Sequence, residues 1–261
     1  MTTTLNPSKT AANTGFGIEI ECTIPVQRSS EFPRGNYHNG QAVRVAHLSD
    51  WNVQSDCSVS ATGNFFPAEV VSPILRGEAG LVKVVEMLDY LNNIGAVVNS
   101  SCGLHVHVDC SGLDRNQMDR LVKLFKAYEP AFYDMNGEHA EARYSNHYCA
   151  PSHRWDGTRY QSLNLQHAHD TNPHIEIRVW QGAMKPETVV AAIYMAVSLV
   201  SRATAPELVK TSDLNRSNSK SMMAKFIQRF SQGACNIVAD YDPHDIWREM
   251  MQAVAVSNRT R

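Results

Sequence analysis

Several common catalytic signatures are missing from these 261 residues. No G-x-x-x-x-G-K-[ST] occurs, so a P-loop is excluded as a phosphate cradle. No G-x-S-x-G and no H-E-x-x-H occur, which removes two common hydrolase classes. The six cysteines, at 22, 57, 102, 110, 149 and 235, form no Cys-x-x-Cys pair. That usage suits reduced thiols in a cytoplasmic protein better than a disulfide scaffold or a zinc ribbon. Residues 1–14 are polar and lack the apolar core of a secretory signal. The longest apolar stretch, 189–200, is too short for a membrane span and reads as a buried helix. No run of five like charges disturbs a balance of 24 basic and 26 acidic residues, so no dedicated nucleic-acid surface is expected. No internal repeat is visible. What is present is a chain that is 43% hydrophobic, enough for a sizeable core in one large domain or two small ones.

Three stretches repeat one pattern. Residues 16–22 read F-G-I-E-I-E-C, 104–108 read L-H-V-H-V and 175–179 read I-E-I-R-V. Successive side chains of a β-strand point to opposite faces. Ile18 and Ile20 therefore oppose Glu19 and Glu21, the aliphatics of 104–108 oppose His105 and His107, and Ile175, Ile177 and Val179 oppose Glu176 and Arg178. If these strands share a sheet, one face is apolar and the other gathers acids, imidazoles and a guanidinium. Unpaired buried charge is costly, so such a face calls for a cation, or for a polyanion held by cations. Glu19 and Glu21 repel unless something positive lies between them. Mg²⁺ and Mn²⁺ prefer oxygen ligands, and neighbouring cations suit a polyphosphate. Glu69, in A-E-V-V-S-P, and Asp56, in Q-S-D-C-S-V, add further acids.

Each signal has an ordinary explanation when taken alone. Two glutamates on an exposed strand face can simply be solvated, and a lone His-x-His is common. A second such pair, His167 and His169, lacks the aliphatic alternation and reads as loop residues. Glu176 and Arg178 as a strand-local pair are worth little; as a site, Glu176 goes to a metal and Arg178 to a phosphate.

Along the chain, residues 1–14 read as a loose leader and 15–261 as one domain. Strands are expected at 16–24, 41–46 and 65–71, with an ambiguous segment at 51–60 and a loop at 27–40. Leu81, Val84, Val85, Leu88, Leu91 and Ile94 recur at helical spacing, with Gly95 as the stop. Met118, Leu121, Val122, Phe125 and Tyr128 define a second helix starting near Asp114. Residues 134–160 read as a long surface loop, 160–165 as a short strand, and Pro186 as the start of a helix through Val200. Residues 215–220 form a polar connector; helices follow near 219–231 and 243–256, the latter opened by Asp242 and Pro243. Strands first, then strands with helices, then helices argue for an α+β fold with a mostly antiparallel sheet covered by helices on one face.

The ordered set F-G-I-E-I-E at 16–21, A-E-V-V-S-P at 68–73, C-G-L-H-V-H-V at 102–108 and I-E-I-R-V-W at 175–180 resembles the amidoligase family of the glutamine synthetase-like carboxylate–amine ligases. The resemblance implies a curved antiparallel sheet with helices on its convex face and a concave face that binds ATP and Mg²⁺ or Mn²⁺. It implies metal ligation by Glu19, Glu21, Glu69 and Glu176, a metal or phosphate ligand at His105, a nucleotide contact at His107, and Arg178 on the transferred phosphate. Arg143, Arg159 and Asn164 match softer segments, where a surface-loop role is the alternative to a phosphate or substrate contact. Asp56 is the candidate for the amine, or for a metal-bound water. The acids near Glu69 are sparser than in glutamine synthetase.

The implied activity is ADP-forming amide or isopeptide synthesis through an acyl phosphate, from a carboxylate and an amine substrate, with oligomeric state left open. Three rivals stand beside it. One is a cupin-like oxygenase built on His105, His107 and a carboxylate. Another is a non-catalytic nucleotide-binding relative. The third is a phosphatase or nuclease with paired metals.

Overall fold

The computed structural model describes residues 13–36, 39–205, 218–234, 248, 251, 252 and 254–257. The alternating stretches become strands: β1 (Gly15–Pro25), β4 (Phe65–Val71), β6 (Gly103–Asp109) and β8 (His174–Gln181). Four short strands complete the sheet: β2 (Gln41–Ala42), β3 (Asn52–Gln54), β5 (Leu75–Arg76) and β7 (Leu163–Asn164). The order across the sheet is β2-β3-β4-β1-β6-β8-β7, with β5 also on β1, and all the strand pairs are antiparallel. The two central neighbours of β1 are thus β4 and β6, the strands that carry Glu69 and the two histidines.

The aliphatic half of each alternation is buried. Ile18, Ile20, Val70, Leu104, Val106, Ile175 and Ile177 join one hydrophobic cluster with the helices. Those helices are α1 (Gly77–Asn93), α2 (Arg115–Asp134), α4 (Pro186–Ala203) and α5 (Ser219–Ala234), with a short α3 (Ala140–Ser145) before the second half of the sheet. α4 crosses β6 and β1, α2 touches β8, and α5 packs on α2 and α4. Each fully buried aliphatic side chain contributes about 1.5–3 kcal/mol. The core therefore lies on one side of the sheet, and the other side is left to polar chemistry. Among the described residues no helix is long and apolar enough to cross a membrane.

Local signals set the helix ends. Gly95 follows α1 with φ +80°, a left-handed conformation that glycine adopts without strain. Asp114 caps α2 by accepting the Gln117 N–H at 2.8 Å, while Gln117 Oε1 accepts the Asp114 N–H at 2.9 Å. Pro186 occupies the first turn of α4, where its missing N–H costs nothing.

Several expectations need correction. The stretch 134–160 is not a long surface loop. α2 runs on to Asp134 through Pro130, because Ala131, Phe132 and Tyr133 continue its buried stripe and proline forfeits only one helical donor. Beyond it lie α3 and three single 3-10 turns, with Ala140, Arg143 and Cys149 buried. Asn, His and Arg marked it as solvated, but the side chains of Asn136, Arg143 and Asn146 are taken up by internal hydrogen bonds. The strand expected over 41–46 shrinks to β2, and the one over 160–165 shrinks to β7. The connector at 215–220 is described only from Asn218 on, and Ser219 already opens α5. Residues 1–12, Asp242, Pro243 and most of the helix expected over 243–256 lie outside the described residues.

Candidate active site

The register of the sheet assembles the site. Glu19 lies opposite His105, and Glu21 opposite Glu69. Gln54 on β3 flanks Glu69 on its other side. His107 lies opposite Glu176, and Asn164 on β7 lies opposite the same Glu176. The ladder between β6 and β8 is irregular between Leu104 and Val106, so His105 reaches Glu176 on a diagonal.

His105 is the hub. Its Nδ1 lies 2.9 Å from Glu19 Oε2, 3.4 Å from Glu176 Oε1 and 4.0 Å from Glu69 Oε1. Its Nε2 lies 3.4 Å from Glu21 Oε1. One buried imidazole is thus surrounded by four carboxylates. His107 Nε2 lies 3.1 Å from Glu19 Oε1 and 4.0 Å from Glu176 Oε1. Glu176 also pairs with Arg178 Nη1 and accepts the Asn164 amide at 2.8 Å. Arg178 Nε donates to the Tyr148 carbonyl at 3.0 Å, which fixes the plane of the guanidinium.

These neighbours perturb the acids unequally. Burial would raise Glu19, but the charge of His107 and the hydrogen bonds of both imidazoles hold it well below the usual carboxylate range. Glu176 is likewise lowered against its burial, by Arg178 first and then by His107 and His105. Glu69 goes the other way: burial, then repulsion from Glu19, pushes it well above its ordinary value. His107, opposed by burial but drawn up by Glu19 and Glu176, rises to about 8.

Three groups bring ligand atoms within 4.8 Å of one another: Glu19 with His107 and Glu176, Glu19 with Glu69 and His105, and Glu21 with Asp56 and Glu69. Glu19 and Glu69 each belong to two groups, so neighbouring cations would share them. Many carboxylate oxygens with two imidazoles make a donor set that fits Mg²⁺ or Mn²⁺. Among these acids Glu69 is the one whose ionised form is disfavoured, by burial first and then by the Glu19 charge.

A cavity of about 150 Å³ opens over these groups. Glu19, Glu69, His105, His107, Glu176 and Arg178 line it, joined by Asp56, Arg159 and Asn164. Asp56 is held by the turn that follows it, with Oδ1 accepting the Ser58 N–H at 2.6 Å. A second, more apolar cavity of about 470 Å³ adjoins it and shares Glu19 and His107. Phe16, Ile18, Pro73 and Ile74 line one part of that second cavity, and Asp109 and Arg76 supply charge elsewhere.

Two expected residues lie behind the lining. Glu21 Oε2 accepts the Gly103 N–H at 2.5 Å. Arg143 is buried on α3, and its Nη2 donates to the Arg178 carbonyl at 2.6 Å. The surface-loop alternative for Arg143 is therefore wrong, and its guanidinium braces Arg178 from beneath instead of entering the cavity. Asn164 is also buried, and Arg159 is half-buried.

Other participants escaped the sequence reading. Gln54 lines the cavity and donates to Glu69 Oε2 at 2.5 Å. Its only signal was the brief N-V-Q alternation of β3. His167, read as a loop residue, sits in a turn as expected, yet it lines the cavity and stacks on His174 with ring centres 4.9 Å apart. Gly103 is wedged in place: a Cβ there would lie 3.1 Å from His105 Nε2 and 3.3 Å from both Arg143 Nη2 and Glu21 Oε2.

No curated protein matches the chain. Among solved structures it is similar to a bifunctional glutathione synthetase from Pasteurella multocida, 11% identical, with TM-score 0.49 over 94% of this chain and 47% of that one. It is also similar to the complex between the prokaryotic ubiquitin-like protein Pup and its ligase PafA, 9% identical, with TM-score 0.47 over 95% of this chain and 65% of that one. The chain thus spans less than two thirds of either structure. The family model described as "Putative amidoligase enzyme" matches residues 2–155, more than half of the chain. With three of the four quoted segments inside that match, the chain belongs to the amidoligase family.

Proposed function

We propose that this chain is an ATP-dependent carboxylate–amine ligase that forms an amide or isopeptide bond and releases ADP and phosphate. The observation that carries the reading is the convergence of Glu19, Glu69, His105 and Glu176 in one cavity beside Arg178. The family match supports it.

A carboxylate does not expel oxide when an amine attacks it. Phosphorylation repairs this: a carboxylate oxygen attacks the terminal phosphorus of ATP, and ADP departs. The amine nitrogen then attacks the acyl carbon, phosphate departs, and the amine proton goes to a base. Phosphoryl transfer asks the protein for positioning and charge neutralisation more than for covalent chemistry. Mg²⁺ or Mn²⁺ held by Glu19, Glu21, Glu69, His105 and Glu176 would supply much of that neutralisation. Arg178, locked by Glu176 and the Tyr148 carbonyl, is already oriented to meet charge on the transferring group. Arg159 is the second cation facing the cavity. Asp56 takes the amine proton, since it faces the same space from a different loop. The adjoining cavity takes the nucleoside, with His107 at the junction.

The test is a screen of carboxylate–amine pairs with ATP and Mg²⁺ or Mn²⁺, spanning amino acids, peptides, protein side chains and polyamines. ADP formation that needs both partners, with a product lighter than their sum by one water, supports the ligase. Phosphate release that ignores the amine supports a phosphatase or nuclease. Tightly held iron without nucleotide binding supports the oxygenase. Either of the last two outcomes refutes the ligase reading.

A further inference from the structure

One buried carboxylate has no part in the chemistry above. Glu129, on α2, is 5% exposed and lies outside the cavity lining. Its Oε1 accepts the Ser152 N–H at 2.8 Å and the Ser162 hydroxyl at 2.6 Å; its Oε2 accepts the Ser152 hydroxyl at 2.5 Å. Both ends of the segment between Ser152 and Ser162 are therefore tied to a single side chain. The same face of α2 grips the middle of the segment. Lys126 Nζ lies 4.4 Å from the centre of the Trp155 ring, and Phe125 stacks on that ring at 6.3 Å. Trp155 Nε1 donates back to Ser162 Oγ at 3.0 Å. Arg159 is carried by this segment into the cavity. Asn164 follows two residues later, and the Ser162 carbonyl accepts the Arg178 N–H at 2.9 Å.

Burying a carboxylate is costly, and an apolar side chain of similar size would hold α2 to its neighbours as well. A group that accepts three hydrogen bonds from two distant residues gives what an apolar one cannot: it fixes the separation and orientation of the ends of a loop. We propose that Glu129 is a positioning residue, which clamps residues 152–162 so that Arg159 stands in the cation cavity. The proposal rests on the ligase reading for what Arg159 does there, and on the geometry above for how Arg159 is held.

Glu129→Gln keeps one oxygen acceptor for Ser152 N–H and Ser162, and its amide can donate to the Ser152 hydroxyl. Glu129→Ala removes the clamp, and Ser162→Ala removes one strand of it should Glu129→Ala fail to fold. Phenylglyoxal labelling of arginines, read by mass spectrometry, reports the placement of Arg159 without any substrate. Labelling of Arg159 should accelerate in Glu129→Ala and Ser162→Ala, and stay at the wild-type rate in Glu129→Gln. Binding of ATP with Mg²⁺, read calorimetrically, should weaken about tenfold in Glu129→Ala and in Arg159→Ala, the loss expected for one charge-assisted contact. The double variant should be no weaker than Arg159→Ala alone. An unchanged Arg159 labelling rate in both Glu129→Ala and Ser162→Ala overturns the proposal, as does full additivity in the double variant. If labelling responds as stated but the wild type binds no ATP, the clamp stands and the ligase reading falls.

Discussion

Glu69→Gln should make the cation-free protein more stable while reducing its response to Mg²⁺. The ligand atoms of Glu69 lie within 4.8 Å of those of Glu19, and within the same distance of those of Glu21 and Asp56. At about 4.8 Å, a like-charge pair costs roughly 3.5 kcal/mol at an effective dielectric constant of about 20. The Gln54 amide and the His105 ring offset part of this, and partial protonation of Glu69 removes more. A net gain of about 1–3 kcal/mol on neutralising the side chain is the reasonable expectation. For a chain of this size that is a rise in Tm of roughly 2–12 °C. The pH dependence follows from the direction of the Glu69 shift. Below the ordinary carboxylate range, Glu69 is protonated in both folded and unfolded chains and carries no penalty. As pH climbs from that range towards its raised folded value, the unfolded chain ionises first, so the wild type loses stability across that window. Glu69→Gln lacks this loss. Melting curves in chelator and in excess Mg²⁺ make the assay. Mg²⁺ at about a hundred times Kd adds roughly 2.7 kcal/mol to the wild type, and should add clearly less to the variant, which keeps only the group of Glu19, His107 and Glu176 intact. A variant that melts below the wild type in chelator, or that keeps the full Mg²⁺ increment, refutes the reasoning.

Glu21→Ala and Glu176→Ala should each abolish ATP-dependent ligation while leaving a cooperatively melting chain; turnover at the wild-type rate in either variant removes that residue from the assignment. Gly103→Ala should keep the fold, because the atoms its Cβ meets are the ends of side chains, but push Glu21, His105 and Arg143 apart. Mg²⁺ affinity, read by titration calorimetry, should fall about tenfold, roughly 1.4 kcal/mol. His107, raised from 6.5 to about 8 in the fold, contributes stability that is fully present below pH 6.5 and lost as pH rises through about 8. The gap in Tm between the cation-free wild type and His107→Asn should therefore close over that window; a constant gap contradicts the assigned pairing with Glu19 and Glu176. Arg178→Lys should lower kcat more than it raises KM for ATP, because lysine keeps the charge but loses the Nε donor to the Tyr148 carbonyl.

The central sheet was legible because its signal is local. Alternation over 16–22, 104–108 and 175–179 states both that a segment is a strand and which residues share a face. β4 was placed to the residue, and β1, β6 and β8 to within one or two. The short strands were less legible. In β2, β3 and β7 the ladder spans two or three residues, too few for a period to declare itself; β3 and β7 exist because a long neighbour offers unpaired donors and acceptors, and β2 adds to β3 in turn. Gln54 was missed for that reason: its role depends on the pairing of β3 with β4, which three residues do not announce. Glu129 was hidden by a different cause: it is a charged residue consumed inside the protein, and composition alone assigns charged residues to the surface. Arg143 was named from its segment's resemblance, but its burial was hidden for the same reason.

The site also shows why strand faces were informative and strand order was not. Facing is decided by each segment, whereas order is decided by the packing of helices onto the sheet. Placing β1 between β4 and β6 brings Glu19 and Glu21 against His105 and Glu69; any other neighbours would scatter the same residues. That order is held from the opposite face, where Ile18, Ile20, Val70, Leu104 and Val106 pack into one core with the helices. Burial there must outweigh the repulsion concentrated on the polar side, and with these five aliphatic side chains at about 1.5–3 kcal/mol each it can. The strain falls on individual acids and not on the fold. Glu69 carries it through a raised pKa, and a divalent cation bound there would relieve it. An affinity for such a cation would then be stored in the apolar face of the sheet. Enlarging or emptying that core near β1 should loosen the cation before it unfolds the chain: Ile20→Ala should weaken Mg²⁺ binding in a protein that still melts cooperatively, and unchanged Mg²⁺ affinity in that variant would show that the two faces are mechanically independent.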